Sequence, residues 1–453
     1  MALINDQNRK WIILVAASCA FGLIMLDETV VAVALPTIQR DLSMSLVLSH
    51  WVINSYLLVI AGFIAVGGKL GDIIGYRKLF VTGVLVFGIF SLAAGFAEST
   101  VWILVARAFQ GLGAAVIFPA SMALLALTFP VGQRGMAMGI YGAVGSIFIS
   151  LGPLVGGYFT DEISWRWIFW INLPIVAIIV LIFLAAWQEP NFEVSRPKID
   201  IPGLITLVIG VSSLVFAIMQ GAEWGWSSPI ILSLFVLAVL ALAIFCIIEL
   251  KAAQPLIEID LFKYGTFTSS NFAIFTGQFT KIAVIVFGAL YLQQALKMDP
   301  LKAGTALLPA MIPIPFMAVV SGRATDRFGP RYPTLLGLLV AGVSLVLMGL
   351  TVGTDRYDLL LPALILWGVA LSSIFAPALT AVMNSVPDEK QGQASGIVLT
   401  SQILGASIGL ALLSAVLSEF HSFRIVFITT ACIVLLALIV GWFFLDRNRN
   451  SGN

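Results

Sequence analysis

Asp27, Glu28, Arg107 and Lys281 stand inside long apolar runs of a 453-residue chain. At the centre of a bilayer such a charge is disfavoured by about 2.5–3.5 kcal/mol, so each must find a partner or line a polar cavity. Asp27 and Glu28 are adjacent, and neighbours on a helix point about 100° apart, so one of the two is expected to meet a given partner directly. Arg107 is the natural partner for one of them. A carboxylate held against a guanidinium away from water can take up or release a proton when the pair is disturbed.

The elements that carry these residues are membrane spans. Hydrophobic residues make up 60% of the chain and charged residues 10%, with a mean hydropathy of +1.05; soluble domains carry about 25% charged residues. Mostly apolar runs long enough to cross a bilayer occur fourteen times, at approximately 11–36, 50–71, 79–97, 101–127, 136–160, 167–187, 202–220, 229–249, 267–295, 303–323, 332–352, 358–384, 393–418 and 423–445. Of the 24 Lys and Arg residues, sixteen fall at or beyond the span ends on one side, Arg196, Lys198, Arg447 and Arg449 among them, and six on the other. The excess marks the cytoplasmic side, which puts both termini there. Arg9 and Lys10 precede an apolar run without a small-residue cleavage site, so the first span reads as a retained helix rather than a cleaved signal. Cys19, Cys246 and Cys432 lie within apolar runs and read as small hydrophobes. A net charge of +1 with no long basic run argues against nucleic acid as a partner.

Gly68-Lys69-Leu70-Gly71-Asp72-Ile73-Ile74-Gly75-Tyr76-Arg77 returns 254 residues later as Gly322-Arg323-Ala324-Thr325-Asp326-Arg327-Phe328-Gly329-Pro330-Arg331. Each copy joins two apolar runs, so each is a charged turn between helices, with glycines that allow close approach. At an offset of 257, Gly111, Ile117, Phe118, Pro130, Gly135 and Gly152 meet Gly368, Ile374, Phe375, Pro387, Gly392 and Gly409. Spans four and five thus correspond to spans twelve and thirteen. The expected fold is an all-α membrane protein of two six-helix bundles, residues 1–190 and 263–453, with a two-helix insertion at 191–262.

The first turn resembles the loop between helices two and three of the major facilitator superfamily, with Ile73 and Tyr76 departing from the family pattern. Leu26-Asp27-Glu28-Thr29-Val30-Val31-Ala32-Val33-Ala34-Leu35-Pro36 resembles the first-helix motif of drug:proton antiporters, with Ala32 in place of the usual Asn. Arg107-Ala108-Phe109-Gln110-Gly111-Leu112-Gly113-Ala114-Ala115 is similar to the fourth-helix motif, whose Arg the family links to proton coupling. Gly152-Pro153-Leu154-Val155-Gly156-Gly157 resembles the end of the fifth-helix antiporter motif, with Phe148 where a further Gly is usual. Trp165-Arg166-Trp167-Ile168-Phe169-Trp170-Ile171-Asn172-Leu173-Pro174 is similar to the fourteen-helix branch. The resemblance implies proton-coupled export of lipophilic, cationic drugs or toxic compounds across the cell membrane, by a monomer without cofactor or metal. Lipid, lipid-precursor or amphiphilic-anion translocation on the same scaffold is the alternative.

Asp27, Glu28 and Arg107 are then the proton-coupling residues, with Asp27 expected to meet Arg107 because the motif places its acid there, and Asp27, Glu28, Gln110, Phe148, Gln278 and Lys281 the solute contacts. Gly68, Asp72, Gly75, Arg77, Gly152, Pro153, Gly156, Gly157, Asp326 and Arg331 are the gating residues. Asp72 is expected to face the positively polarised start of span thirteen, around Asp388 to Gln393, and Asp326 the start of span five near Arg134. Gly156 and Gly157 read as packing surfaces rather than direct solute contacts. By the offset of 254, Asp27 falls on Lys281; that lysine either meets solute, takes part in coupling, or lines water and snorkels. His50 and His421 stand alone at span ends, which makes a metal site improbable. The longest polar connections, about 188–201 and 250–266, are too short to fold as an enzyme domain, and Gly67-Gly68-Lys69-Leu70 lacks the spacing and the Ser or Thr of a phosphate loop.

Overall fold

A computed structural model describes residues 6–187, 200–252, 255, 257–298, 300–354 and 356–445. Arg196, Lys198, Arg447, Arg449 and the boundary at 190/191 lie outside the described residues. With no water in the hydrocarbon core, backbone groups must bond within their own segment, and apolar runs of this length become helices. Fourteen helices among the described residues are long and apolar enough to cross a membrane, as the sequence predicts. They are α1 (Asn8–Asp41), α2 (Leu48–Ile74), α3 (Tyr76–Gly95), α4 (Thr100–Thr128), α5 (Val131–Ile163), α6 (Trp167–Ala186) and α7 (Ile201–Gly221). There follow α8 (Pro229–Glu249), α9 (Gly265–Gln294), α10 (Lys302–Phe328), α11 (Arg331–Thr351), α12 (Tyr357–Asn384), α13 (Asp388–Phe420) and α14 (Phe423–Phe444).

Several helices outrun the apolar stretch that announces them, because polar residues extend the ends. α13 begins with a 3-10 turn at Asp388–Lys390, five residues ahead of the expected start. Two helices carry a π-helical turn: α5 ends in Phe159–Ile163, and α9 is interrupted at Ala283–Phe287. Ser45 and Ser99 cap α2 and α4 by accepting from the backbone N–H groups of Leu48 and Trp102, each at 3.3 Å. At the two repeated turns, Gly75 (φ 89°) and Gly329 (φ 81°) adopt a conformation that side chains resist, which explains why glycine recurs there.

The repeat is visible in the packing. α1 contacts α4 and α6, α4 also contacts α2 and α3, and α3 contacts α6; with every number raised by eight, the same five pairings hold among α9, α10, α11, α12 and α14. α7 packs on α2, with Ser212 against Gly62 and Phe216 5.4 Å from Trp51, and α8 packs on α7. α8 turns Leu232, Val236, Val239 and Ile247 outward, as a lipid-facing helix would. Two compact units result: residues 1–129, 144–259 and 387–399 form the first, and 130–143, 260–386 and 400–453 the second. Thus the start of α5 belongs to the second unit and the start of α13 to the first.

Candidate functional site

The first unit encloses a charged network. Asp27 on α1 and Arg107 on α4 are both 0% exposed, with Arg107 Nη1 donating to Asp27 Oδ2 at 2.5 Å. The apolar cluster around them includes Leu26, Val30, Val31, Val52, Ile103, Ala106 and Phe169. Two charges taken out of water are costly unless their remaining hydrogen-bonding groups are answered; here most are, with Arg107 Nη2 left without a hydrogen-bond partner among the described residues. Gln110, one turn along α4, gives Nε2 to Asp27 Oδ1 at 2.9 Å and takes a bond from Arg107 Nη1 at 2.8 Å. Arg107 Nε donates to the Val52 carbonyl at 3.0 Å, and the guanidinium carbon lies 4.1 Å from the Tyr56 ring centroid.

A third donor comes from α6. Asn172 gives Nδ2 to Asp27 Oδ1 at 3.2 Å and to Ser91 Oγ at 2.9 Å, while Ser91 donates to the Phe169 carbonyl at 2.8 Å. Asp27 therefore holds donors from α4 and α6 at once, and any change in its charge is felt on both helices. Glu28, one residue on and turned away, is half-buried.

α5 packs on α1 through small residues. A Cβ at Gly152 would strike the Thr29 side chain, and one at Gly156 would lie 3.1 Å from Val30 Cα. Gly157 differs from the packing expectation: it is turned about 100° from Gly156, and a Cβ there would meet nothing within 4 Å. Pro153 is exposed, and the Phe148 ring lies over Gly22.

Each repeated turn aims its aspartate at a helix start, where backbone N–H groups lack partners within the helix. Asp72 accepts from Gly392 N and Gln393 N, both at 3.1 Å, in α13. Asp326 accepts from Gly135 N and Met136 N, both at 2.8 Å, in α5. Backbones touch beside each: Gly68 faces the Gly392 carbonyl and Gly322 the Gly135 carbonyl. Tyr76, one of the departures from the family pattern, donates its hydroxyl to Asp72 and accepts from Gly392 N at 2.7 Å. Its ring fills the space that a side chain at Gly71 would take. Tyr76→Phe is expected to speed hydrogen exchange of the first α13 amides about fivefold, the worth of roughly 1 kcal/mol of hydrogen bonding; mass spectrometry of a peptide spanning Gly392 and Gln393 reads it.

The two arginines that close the turns part ways. Arg77 is exposed at the start of α3, whereas Arg331 is buried and donates to the carbonyls of Leu445 and, at 2.7 Å, Trp442. In the second unit Gln278 on α9 donates to Gln402 on α13 at 3.3 Å, and Lys281 is half-buried. Among the described residues no three His, Cys, Asp or Glu side chains gather as a metal cage.

Sequence reasoning missed Asn172 and Tyr76 as participants. Asn172 was visible as an amide within an apolar run, in a stretch that its tryptophans make look like an interfacial belt. Tyr76 was visible only as a departure.

Comparison with known proteins agrees with this architecture. The profile of the Major Facilitator Superfamily matches residues 17–200, 202–409 and 267–453. The tetracenomycin C resistance and export protein of Streptomyces glaucescens is 31% identical over 91% of this chain and 77% of its own length. The puromycin resistance protein of Streptomyces alboniger is 31% identical over 99% of this chain and 94% of its own. Among solved structures, the proton:xylose symporter XylE superposes with a TM-score of 0.72 at 14% identity, covering 98% of this chain and 97% of the other.

Proposed function

The chain belongs to the major facilitator superfamily, and on that premise we propose that it exports lipophilic, cationic drugs or toxic compounds from the cell in exchange for protons. It is a multi-pass membrane protein and a transporter rather than an enzyme. Its drug-resistance relatives support export as the direction. In this reading it works as a monomer in the cell membrane with both termini in the cytoplasm, as the excess of basic residues on one side supports.

The observation that carries the coupling is the fully buried Asp27–Arg107 pair with Gln110 and Asn172 around it. A proton arriving on Asp27 removes the charge that Arg107 answers and loosens the tie from α1 to α4 and α6. Proton entry from outside and a solute cation from inside compete for the acids of α1, with half-buried Glu28 the more accessible of the two. The aspartates at the repeated turns then act as latches, gripping and releasing the starts of α13 and α5 as the bundles 1–190 and 263–453 rock. A gradient supplies about 2.3 kcal/mol per charge per 100 mV for this work.

Asp27→Asn is expected to abolish uphill efflux driven by an imposed pH gradient in membrane vesicles while downhill exchange continues. Glu28→Gln is expected to have a milder or solute-dependent effect. Full gradient-driven efflux by the Asp27→Asn protein would refute the coupling role. Lys281 favours a second reading, in which the solute carries an anionic group.

A further inference from the structure

Glu249, the last residue of α8, is buried and joins three pieces of chain. A Cβ on Gly203 would lie 2.6 Å from its Oε1, so the carboxyl group rests against the first turn of α7, which Asp200 caps by accepting from Gly203 N at 3.0 Å. Its Oε2 accepts from Ile257 N at 3.1 Å, which fixes the segment that leaves the insertion eight residues after the helix ends. The next side chain along is Glu258.

Glu258 Oε2 stands 2.6 Å from Lys390 Nζ, with 28% and 36% of the two side chains exposed. Lys390 closes the 3-10 turn that opens α13, two residues ahead of Gly392, whose N–H is held by Asp72 and Tyr76. That turn also contacts α2, on which α7 packs, so the insertion reaches the start of α13 by two routes within the first compact unit. The other repeated turn is served differently. By the offset of 257, Lys390 falls on Gln133, an amide that cannot form an ion pair, and Glu258 lies in the segment that the insertion adds ahead of α9. A cation at 390 is therefore not demanded by the repeat.

We propose that the two inserted helices brace the Asp72 latch. α7 and α8 anchor the segment after Glu249, the Glu258–Lys390 pair carries that anchorage to the 3-10 turn, and the start of α13 is held where Asp72 reaches it. The start of α5, gripped by Asp326, is left outside the brace. Glu258 and Lys390 are thus positioning residues, and their role rests on the reading of the repeated turns as latches.

Hydrogen exchange with mass spectrometry on the detergent-purified full chain, with no gradient and no solute, reads the two helix starts separately, in peptides spanning Gly392 and Gln393 and spanning Gly135 and Met136. Lys390→Met and Glu258→Gln are each expected to speed exchange at the α13 start about twofold to fivefold, the range of a partly exposed ion pair, and to leave the α5 start unchanged. Exchanging the charges, Glu258→Lys with Lys390→Glu, is expected to bring the α13 rate back toward wild type. Raising salt from about 0.1 M to about 1 M shortens the screening length from about 10 Å to about 3 Å, so it should quicken exchange there in the wild type and not in Lys390→Met. Unchanged exchange in both single variants, an equal rise at both helix starts, or no recovery in the charge-exchanged protein would each overturn the brace. Asp72→Asn separates brace from latch: faster α13 exchange in that variant with none in Lys390→Met would sink the brace alone, and the reverse pattern would sink the latch and leave the segment's hold on α13.

Discussion

Arg107→Met is expected to lower the thermal unfolding temperature of the detergent-purified protein and to abolish coupled efflux. The guanidinium gives Nη1 to Asp27 and Nε to the Val52 carbonyl, and lies over Tyr56. A thioether of similar length fills most of the space but leaves the Asp27 carboxylate among apolar residues with only the amides of Gln110 and Asn172. Removing one member of a buried ion pair costs about 3–5 kcal/mol, mostly the penalty of the charge left behind. The double variant Asp27→Asn/Arg107→Met removes both charges and is expected to regain most of the stability without regaining gradient-driven efflux. Scanning fluorimetry of the single and double variants checks the first part, and vesicle efflux the second. If Arg107→Met unfolded at the wild-type temperature, the buried charge would not be the burden argued here.

The second large effect is expected at the glycine crossings. A Cβ on Gly68 would overlap the Gly392 carbonyl oxygen, and one on Gly392 the Gly68 carbonyl; the same reciprocity holds for Gly135 and Gly322. The obstacle is backbone in every case, so no side chain can swing aside. Gly68→Ala and Gly135→Ala are therefore expected to exclude the arrangement in which Asp72 and Asp326 reach their helix starts, and to cut export by about tenfold or more while solute still binds. Gly132→Ala is the control on α5, because a Cβ there meets nothing within 4 Å. Wild-type export rates in both Gly68→Ala and Gly135→Ala would show that the crossings are not needed for turnover.

The fold was legible where hydropathy and local backbone demands govern. Apolar runs mark helices, and the glycines at 75 and 329 recur because the turn imposes a positive φ. That one of the two adjacent acids of α1 pairs with Arg107 could be read from how few charges share the interior, and the choice of Asp27 over Glu28 came from the resemblance to the family's first-helix motif. What could not be read is which polar side chain turns toward which. Asn172 reaches Asp27 only because α6 packs on α1, a tertiary fact that one amide among tryptophans does not disclose. The tyrosine at 76 signals a difference without saying that its hydroxyl would bridge Asp72 and Gly392. Gly156 and Gly157 look equivalent in a string of letters, and a rotation of about 100° separates a packed position from an open one.

Arg331 sets where the chain can be tethered. Its buried guanidinium binds the carbonyls of Trp442 and Leu445 at the negatively polarised end of α14, so the last helix is fastened by its final backbone groups. A reporter or purification handle joined beyond Leu445 leaves that fastening whole. Shortening the chain to Gly441 deletes both acceptors and strands a charge inside the protein, so the cost of trimming rises abruptly within a few residues rather than growing with the length removed.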